Sequence, residues 1–173
     1  MTLSPHALGV VAWQSGNIQQ ARMLLANAAM AEPENLAIPR DLAKLLWAEG
    51  DGEQALNLLN SLPPDARGEP EIARLHAHLT LAETTRLAPP LAEFDELLAQ
   101  HPEDLAAQFQ RATCLLATDD FAGAMDTLLH IARTDRNFRH DIGRLSLLAL
   151  FDLLGSAHPL TRQYRQALSE SLH

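Results

Sequence analysis

The chain is predicted to be all-α, built from helix hairpins that repeat along the sequence. Three observations carry this. Gly16-Asn17 followed by Ala21 recurs 34 residues later as Gly50-Asp51 followed by Ala55. Ala and Leu dominate, Val and Ile are scarce and aromatics make up 5% of residues, a helix-forming composition rather than a sheet-forming one. The 173 residues suffice for one domain with a buried core. About ten helices, paired by repeat and without strands, are expected.

The first unit spans residues 2–35. Gly9 falls where the two helices of a hairpin cross closely and a side chain would clash. Gly16 and Asn17 form the turn, where left-handed backbone is easy for Gly and tolerable for Asn. Ala21 and Ala28 flank Leu25 on the second helix, and Pro33 follows that helix because it cannot continue it. A helix–turn–helix of 34 residues with small residues at these positions is the pattern of a tetratricopeptide repeat, which stacks on copies of itself.

The second unit, 36–70, keeps Ala43, Gly50, Ala55 and Leu59; Leu62-Pro63-Pro64 ends its second helix early and a loop through Gly68 follows. The third, 71–104, is degenerate. Its turn is read as Arg86 to Pro90, with Pro89-Pro90 opening the second helix, where a missing N–H does least harm. It closes on His101-Pro102-Glu103-Asp104, much as the first closes on Glu32-Pro33-Glu34-Asn35. The fourth, 105–138, keeps Ala112, Asp119-Asp120, Ala124 and Leu128.

Residues 139–173 read as a helical cap within the same domain. Asp141 to Leu154 carries apolar residues on nearly every face, so that helix is expected to be buried on more than one side and to stop at Gly155. The last helix, about His158 to Leu172, has a narrow stripe: Leu160, Tyr164, Leu168 and Leu172. A stripe one residue wide predicts a weakly packed element that both caps the repeats and offers Arg162, Arg165, Leu168 and Leu172 as a docking arm.

The formal charge of −9 argues against nucleic acid as the main partner. It is uneven: residues 1–132 carry −11 and residues 133–173 carry +2. No apolar run approaches the length of a membrane span and no signal peptide is recognisable, so no membrane partner is expected. The single cysteine, Cys114, excludes an internal disulfide and any Cys-x-x-Cys site. It lies among Ala112, Leu115 and Leu116 and reads as a buried, inert thiol. A reducing, cytoplasmic setting fits. His76 and His78 are two apart and diverge on a helix, so they cannot share a metal. There is no His-Glu-x-x-His, no Gly-rich phosphate loop and no nucleophile elbow. The sequence thus points to a protein-binding domain, not an enzyme, with no cofactor.

Binding residues are sought on the first helix of each unit, the helices that line the groove of such repeats. Trp13 and Trp47 are 34 apart at the same repeat position, with Arg40 and Lys44 nearby. Two tryptophans along a groove suit an apolar or extended segment of another protein. Some grooves of this repeat class clamp a C-terminal carboxylate with Lys, Asn and Arg at fixed positions. Here those positions read His6, Val10, Asp41, Ile72 and His76, so that clamp is absent.

Three stretches resemble the C-terminal half of the chaperedoxin family, in which a thioredoxin-like domain precedes tetratricopeptide repeats. They are Ser15-Gly16-Asn17 through Ala31-Glu32-Pro33-Glu34-Asn35, the degenerate third unit ending Leu97 to Asp104, and the closing Phe151-Asp152-Leu153-Leu154-Gly155 with Pro159-Leu160 and Tyr164-Arg165. The resemblance covers essentially the whole chain. It implies a thioredoxin domain covalently linked upstream, unfolded or oxidation-damaged protein clients, and the chaperonin as a partner. It carries over no active-site cysteine and no fixed groove residues. A passive scaffold holding one fixed partner is the alternative.

Overall fold

The computed structural model describes residues 3–171. Among them are eleven helices and no strand. The chain divides into two compact units, residues 1–79 and 80–173.

In the first unit, α1 (Pro5–Gln14) packs on α2 (Ile18–Ala31), α2 on α3 (Ala37–Ala48), and α3 on α4 (Gly52–Asn60). A short α5 (Pro64–Gly68) follows, and α6 (Pro70–Arg86) begins in this unit and ends in the next. The hairpins are set by repeated local chemistry. Gly16 has φ 77° and its N–H donates to the Trp13 carbonyl, while Asn17 N–H donates to Ala12. Gly50 has φ 87° and repeats the pattern onto Trp47 and Leu46. This is the left-handed helix stop that favours glycine. Asn17 itself is not left-handed, contrary to expectation: its φ is −87° and it precedes α2 as the N-cap. One residue per turn needs positive φ, and glycine supplies it.

The core follows the repeat. Ala12, Ala21, Leu25 and Leu45 form one buried cluster; Ala43, Leu46, Ala55, Leu59, Ile72 and Leu79 form the next. Small alanines let the helices approach and leucines fill the space between them. Gly9 is buried, and a Cβ placed there would lie 2.8 Å from Leu25 Cγ, so the close crossing inferred from sequence is present. The expected loop through Gly68 is instead α5. Pro63-Pro64 ends α4, but Pro64 also occupies the first turn of a new helix, where proline is well suited. This adds the eleventh helix to the ten expected.

In the second unit, α7 (Leu91–Gln100) packs on α8 (Leu105–Ala117), α8 on α9 (Phe121–Thr134), α9 on α10 (Ile142–Leu154), and α11 (Pro159–Glu170) on both α9 and α10. The α8–α9 turn copies the glycine turns with an aspartate. Asp119 has φ 61°, and Asp119 and Asp120 donate to Leu116 and Leu115. Asp120 then caps α9, its carboxylate accepting from Gly123 N–H at 3.0 Å. Pro90 precedes α7 as its N-cap rather than entering the helix. α10 buries Ile142, Leu145, Leu147, Leu150 and Phe151, which take up more than one face, and stops at Gly155 with φ 86°.

α11 is held more firmly than its stripe foretold. Thr161, Tyr164 and Leu168 are buried. Tyr164 donates its hydroxyl to Asp126 Oδ1 at 2.5 Å, with the Ala122 carbonyl 3.1 Å away. Arg133 of α9 reaches across to Ser171 Oγ at 2.7 Å and to the Ala167 carbonyl at 3.1 Å. The expectation of a weakly packed arm fails because its anchors come from α9, far away in sequence. Leu172 lies outside the described residues.

Candidate protein-binding surface

The first helices α1, α3 and α6 share a polar seam. His6 Nε2 stands 2.9 Å from Asp41 Oδ2, Arg40 Nε donates to Asp41 Oδ1 at 3.1 Å, and Arg40 also pairs with Glu71. Asp41's hydrogen bond, with Glu71 adding to it, raises the Arg40 guanidinium above its ordinary value. Arg40 is therefore tied to two carboxylates and joins α3 to α6. Lys44 lies one turn further along α3 and is exposed.

Trp47 lies a turn beyond Lys44. It is 37% exposed, and its ring meets that of His78 on α6 edge-on, with centroids 5.3 Å apart and an interplanar angle of 87°. Trp13, at the same repeat position, has a different fate. It is half-buried and packs on the cluster of Ala12, Ala21, Leu25 and Leu45. The four candidates thus separate: Trp47 and Lys44 present themselves to solvent, Arg40 is bonded within the seam, and Trp13 is largely core. His78 was missed by sequence reading, which considered it only as half of a metal pair. Its place beside Trp47 depends on the packing of α6, and no local signal announces it.

On α11, Arg162 and Arg165 are exposed, and the Arg165 guanidinium lies 5.6 Å from the Phe151 ring centroid, within cation–π range. Leu168 faces inward and is buried, so it belongs to the packing face of the helix and not to a docking face.

Cys114 is buried and its thiol donates to the Pro89 carbonyl at 3.1 Å. Burial pushes the thiol pKa up, and nearby Glu93 adds to this. The thiolate is the reactive form. Native-state labelling by a thiol reagent is therefore expected to be many-fold slower than labelling in denaturant; equal rates would show that α8 does not shield it. Among the described residues no group of three or more His, Cys, Asp or Glu is placed to hold a metal, and no helix is long and apolar enough to cross a membrane.

A cleft of about 350 Å³ opens between α2 and α4, floored by Leu42 and Leu46 of α3 and walled by Arg22, Ala26, Asn57 and Leu58. Arg22 donates to Gln54 Oε1 across it at 2.9 Å.

No curated protein matches the chain. Among solved structures, a domain of a Vibrio parahaemolyticus protein of unknown function is similar, with 18% identity, 95% of this chain and 96% of that one covered, and a TM-score of 0.42. A MamA mutant is similar at 18% identity, with 96% and 95% covered and a TM-score of 0.41. One model of the tetratricopeptide repeat matches residues 12–79, and a second matches residues 84–173, a span that includes α10 and α11. With its repeated glycine-stopped hairpins and more than half its length inside one of these matches, the chain belongs to the tetratricopeptide repeat family.

Proposed function

We propose that this protein-interaction domain binds unfolded or damaged client proteins and hands them to a folding chaperone, as the resemblance to the chaperedoxins implies. In this reading the repeats occupy 2–35, 36–70, 71–104 and 105–138, and residues 139–173 form their cap. The chain works in the cytoplasm, is not catalytic, and is linked in the full-length protein to a thioredoxin domain. The observation that carries the reading is Trp47. A large ring left partly exposed, steadied edge-on by His78 and followed back along α3 by Lys44, offers apolar area at little entropic cost. Such a surface suits a mixed apolar and acidic stretch of unfolded chain. Arg162 and Arg165, exposed on α11, are the proposed contact to the chaperonin, while Tyr164 and Leu168 keep the helix in place.

The test separates the two surfaces. The chain should suppress aggregation of an unrelated unfolding protein, and Trp47→Ala with Lys44→Ala should remove most of that effect. Because Trp47 is 37% exposed, the stability change should stay below the roughly 3–5 kcal/mol that truncating a core tryptophan costs. Arg162→Glu with Arg165→Glu should abolish chaperonin capture and leave aggregation suppression intact. If the wild-type chain suppresses no aggregation, the passive-scaffold alternative replaces this one.

A further inference from the structure

The cleft between α2 and α4 takes no part in the binding role proposed above. Its volume is about 350 Å³. Its floor is apolar and fixed from behind. Leu42 packs against both buried clusters of the first unit, and Leu46, 5% exposed, belongs to one of them. Leu58 of α4 packs on that same cluster. On the α2 side Ala26 contributes only a methyl group, so a larger side chain at that position would fill the space. The base of the cleft is thus set by core packing, as in a largely pre-formed ligand site.

The mouth carries a cation. Arg22 Nη2 donates to Gln54 Oε1 at 2.9 Å, and Arg22 Nη1 stands 3.8 Å from Glu49 Oε2, beyond hydrogen-bond length. A guanidinium has five N–H donors in a planar fork that matches a carboxylate. The neutral amide oxygen of Gln54 takes up one nitrogen and leaves the charge without a carboxylate at bonding distance. Asn57 brings a second side-chain amide to the same rim.

We propose that this cleft binds a compact apolar acid, its hydrocarbon on Leu42, Leu46 and Leu58 and its single carboxylate on Arg22, with Asn57 donating to the same head. The volume lies at the small end of the range for ligand sites, about 300–1,000 Å³. An extended peptide fits less well, because helical walls have satisfied their own N–H and C=O groups and offer none to a second backbone. A neutral hydrocarbon would cover the guanidinium and give it no acceptor in return. Glu49 favours a head of one charge, since a second negative charge would lie against it. The ligand carboxylate takes the place of the long Glu49 contact.

Decanoate, titrated into the full chain by calorimetry below its micelle-forming concentration, tests this. It should bind saturably, one molecule per chain, and decanol should bind at least about ten-fold more weakly. Arg22→Gln should lose about ten-fold or more in affinity, Ala26→Phe should remove binding, and Glu49→Gln should bind at least as tightly as wild type. If Ala26→Phe loses helix signal in the far-UV spectrum, Asn57→Phe fills the same cleft and is read in its place. No saturable binding, decanol binding as tightly as decanoate, undiminished binding to the filled variant, or weaker binding to Glu49→Gln each overturns the proposal.

Discussion

Gly143→Ala is expected to destabilise the second unit by about 1–3 kcal/mol, and Gly143→Leu by more. A Cβ at Gly143 would lie 2.9 Å from the backbone nitrogen of Ala132, 3.0 Å from the carbonyl oxygen of Leu128 and 3.1 Å from Ile131 Cγ2. Two of these three atoms are the backbone of α9, so no rotamer change relieves the contact; α10 must move away from α9. That movement loosens Leu128 and Ile131, which are fully buried. Gly143 is the second residue of α10, so little helix propensity is gained in return. Gly9→Ala should cost less, since the nearest atoms there belong to the side chain of Leu25. Gly68→Ala meets nothing within 4 Å and serves as the control. Denaturant midpoints for the three variants should fall in that order; a Gly143→Ala midpoint equal to wild type would show that the helices are not in close contact.

Gly143 also shows where the sequence stops being legible. Gly9 could be read because the repeat period assigned it a place, and Gly16 and Gly50 because they recur at a turn. Gly143 sits beyond the clearest repeats, inside an apolar helical run, where a glycine looks only like a weak helix former. The α8–α9 turn was readable although aspartate replaces glycine, because Asp119-Asp120 falls at the right distance from Ala124. α5 was not, since Pro63-Pro64 signals the end of one helix and the start of another with the same residues. For the candidate site, the period places Trp13 and Trp47 as equivalents but says nothing of their neighbours. Trp13 packs on its own hairpin, whereas Trp47 is left to meet His78, a contact made by a helix whose register is degenerate in sequence. Arg40 was sought as a groove residue beside Trp47, but Glu71 becomes its partner only when α3 and α6 align, while Asp41 is its neighbour on α3.

Tyr164→Phe is expected to cost about 1.5–3 kcal/mol at neutral pH, the range for a hydrogen bond to a charged group, and toward the lower end because Asp126 reaches solvent and can rehydrate. The variant removes one oxygen and keeps the ring, so packing against α9 and α10 survives. The same bond makes stability depend on pH in the alkaline range. Burial raises the Tyr164 phenol above its ordinary value of 10.0, and the hydrogen bond to Asp126 and its charge raise it further. In the unfolded chain the phenol loses its proton as pH passes 10.0; in the folded chain it keeps it. The unfolded state then binds fewer protons, so stability falls as pH rises, by at most about 1.4 kcal/mol per unit from this group. Below pH 10.0 the contribution is fully present. The difference in unfolding free energy between wild type and Tyr164→Phe should accordingly be constant near neutrality and shrink above pH 10.0. Subtracting the variant cancels the contributions of every group that both proteins share. Tyr164 is the sole tyrosine in the sequence, so the tyrosinate absorbance band reports it without interference. That band should appear together with the loss of helix signal, not before it. A band that grows in while the chain is still folded would mean that the phenol is open to solvent and that α11 is not anchored through Asp126.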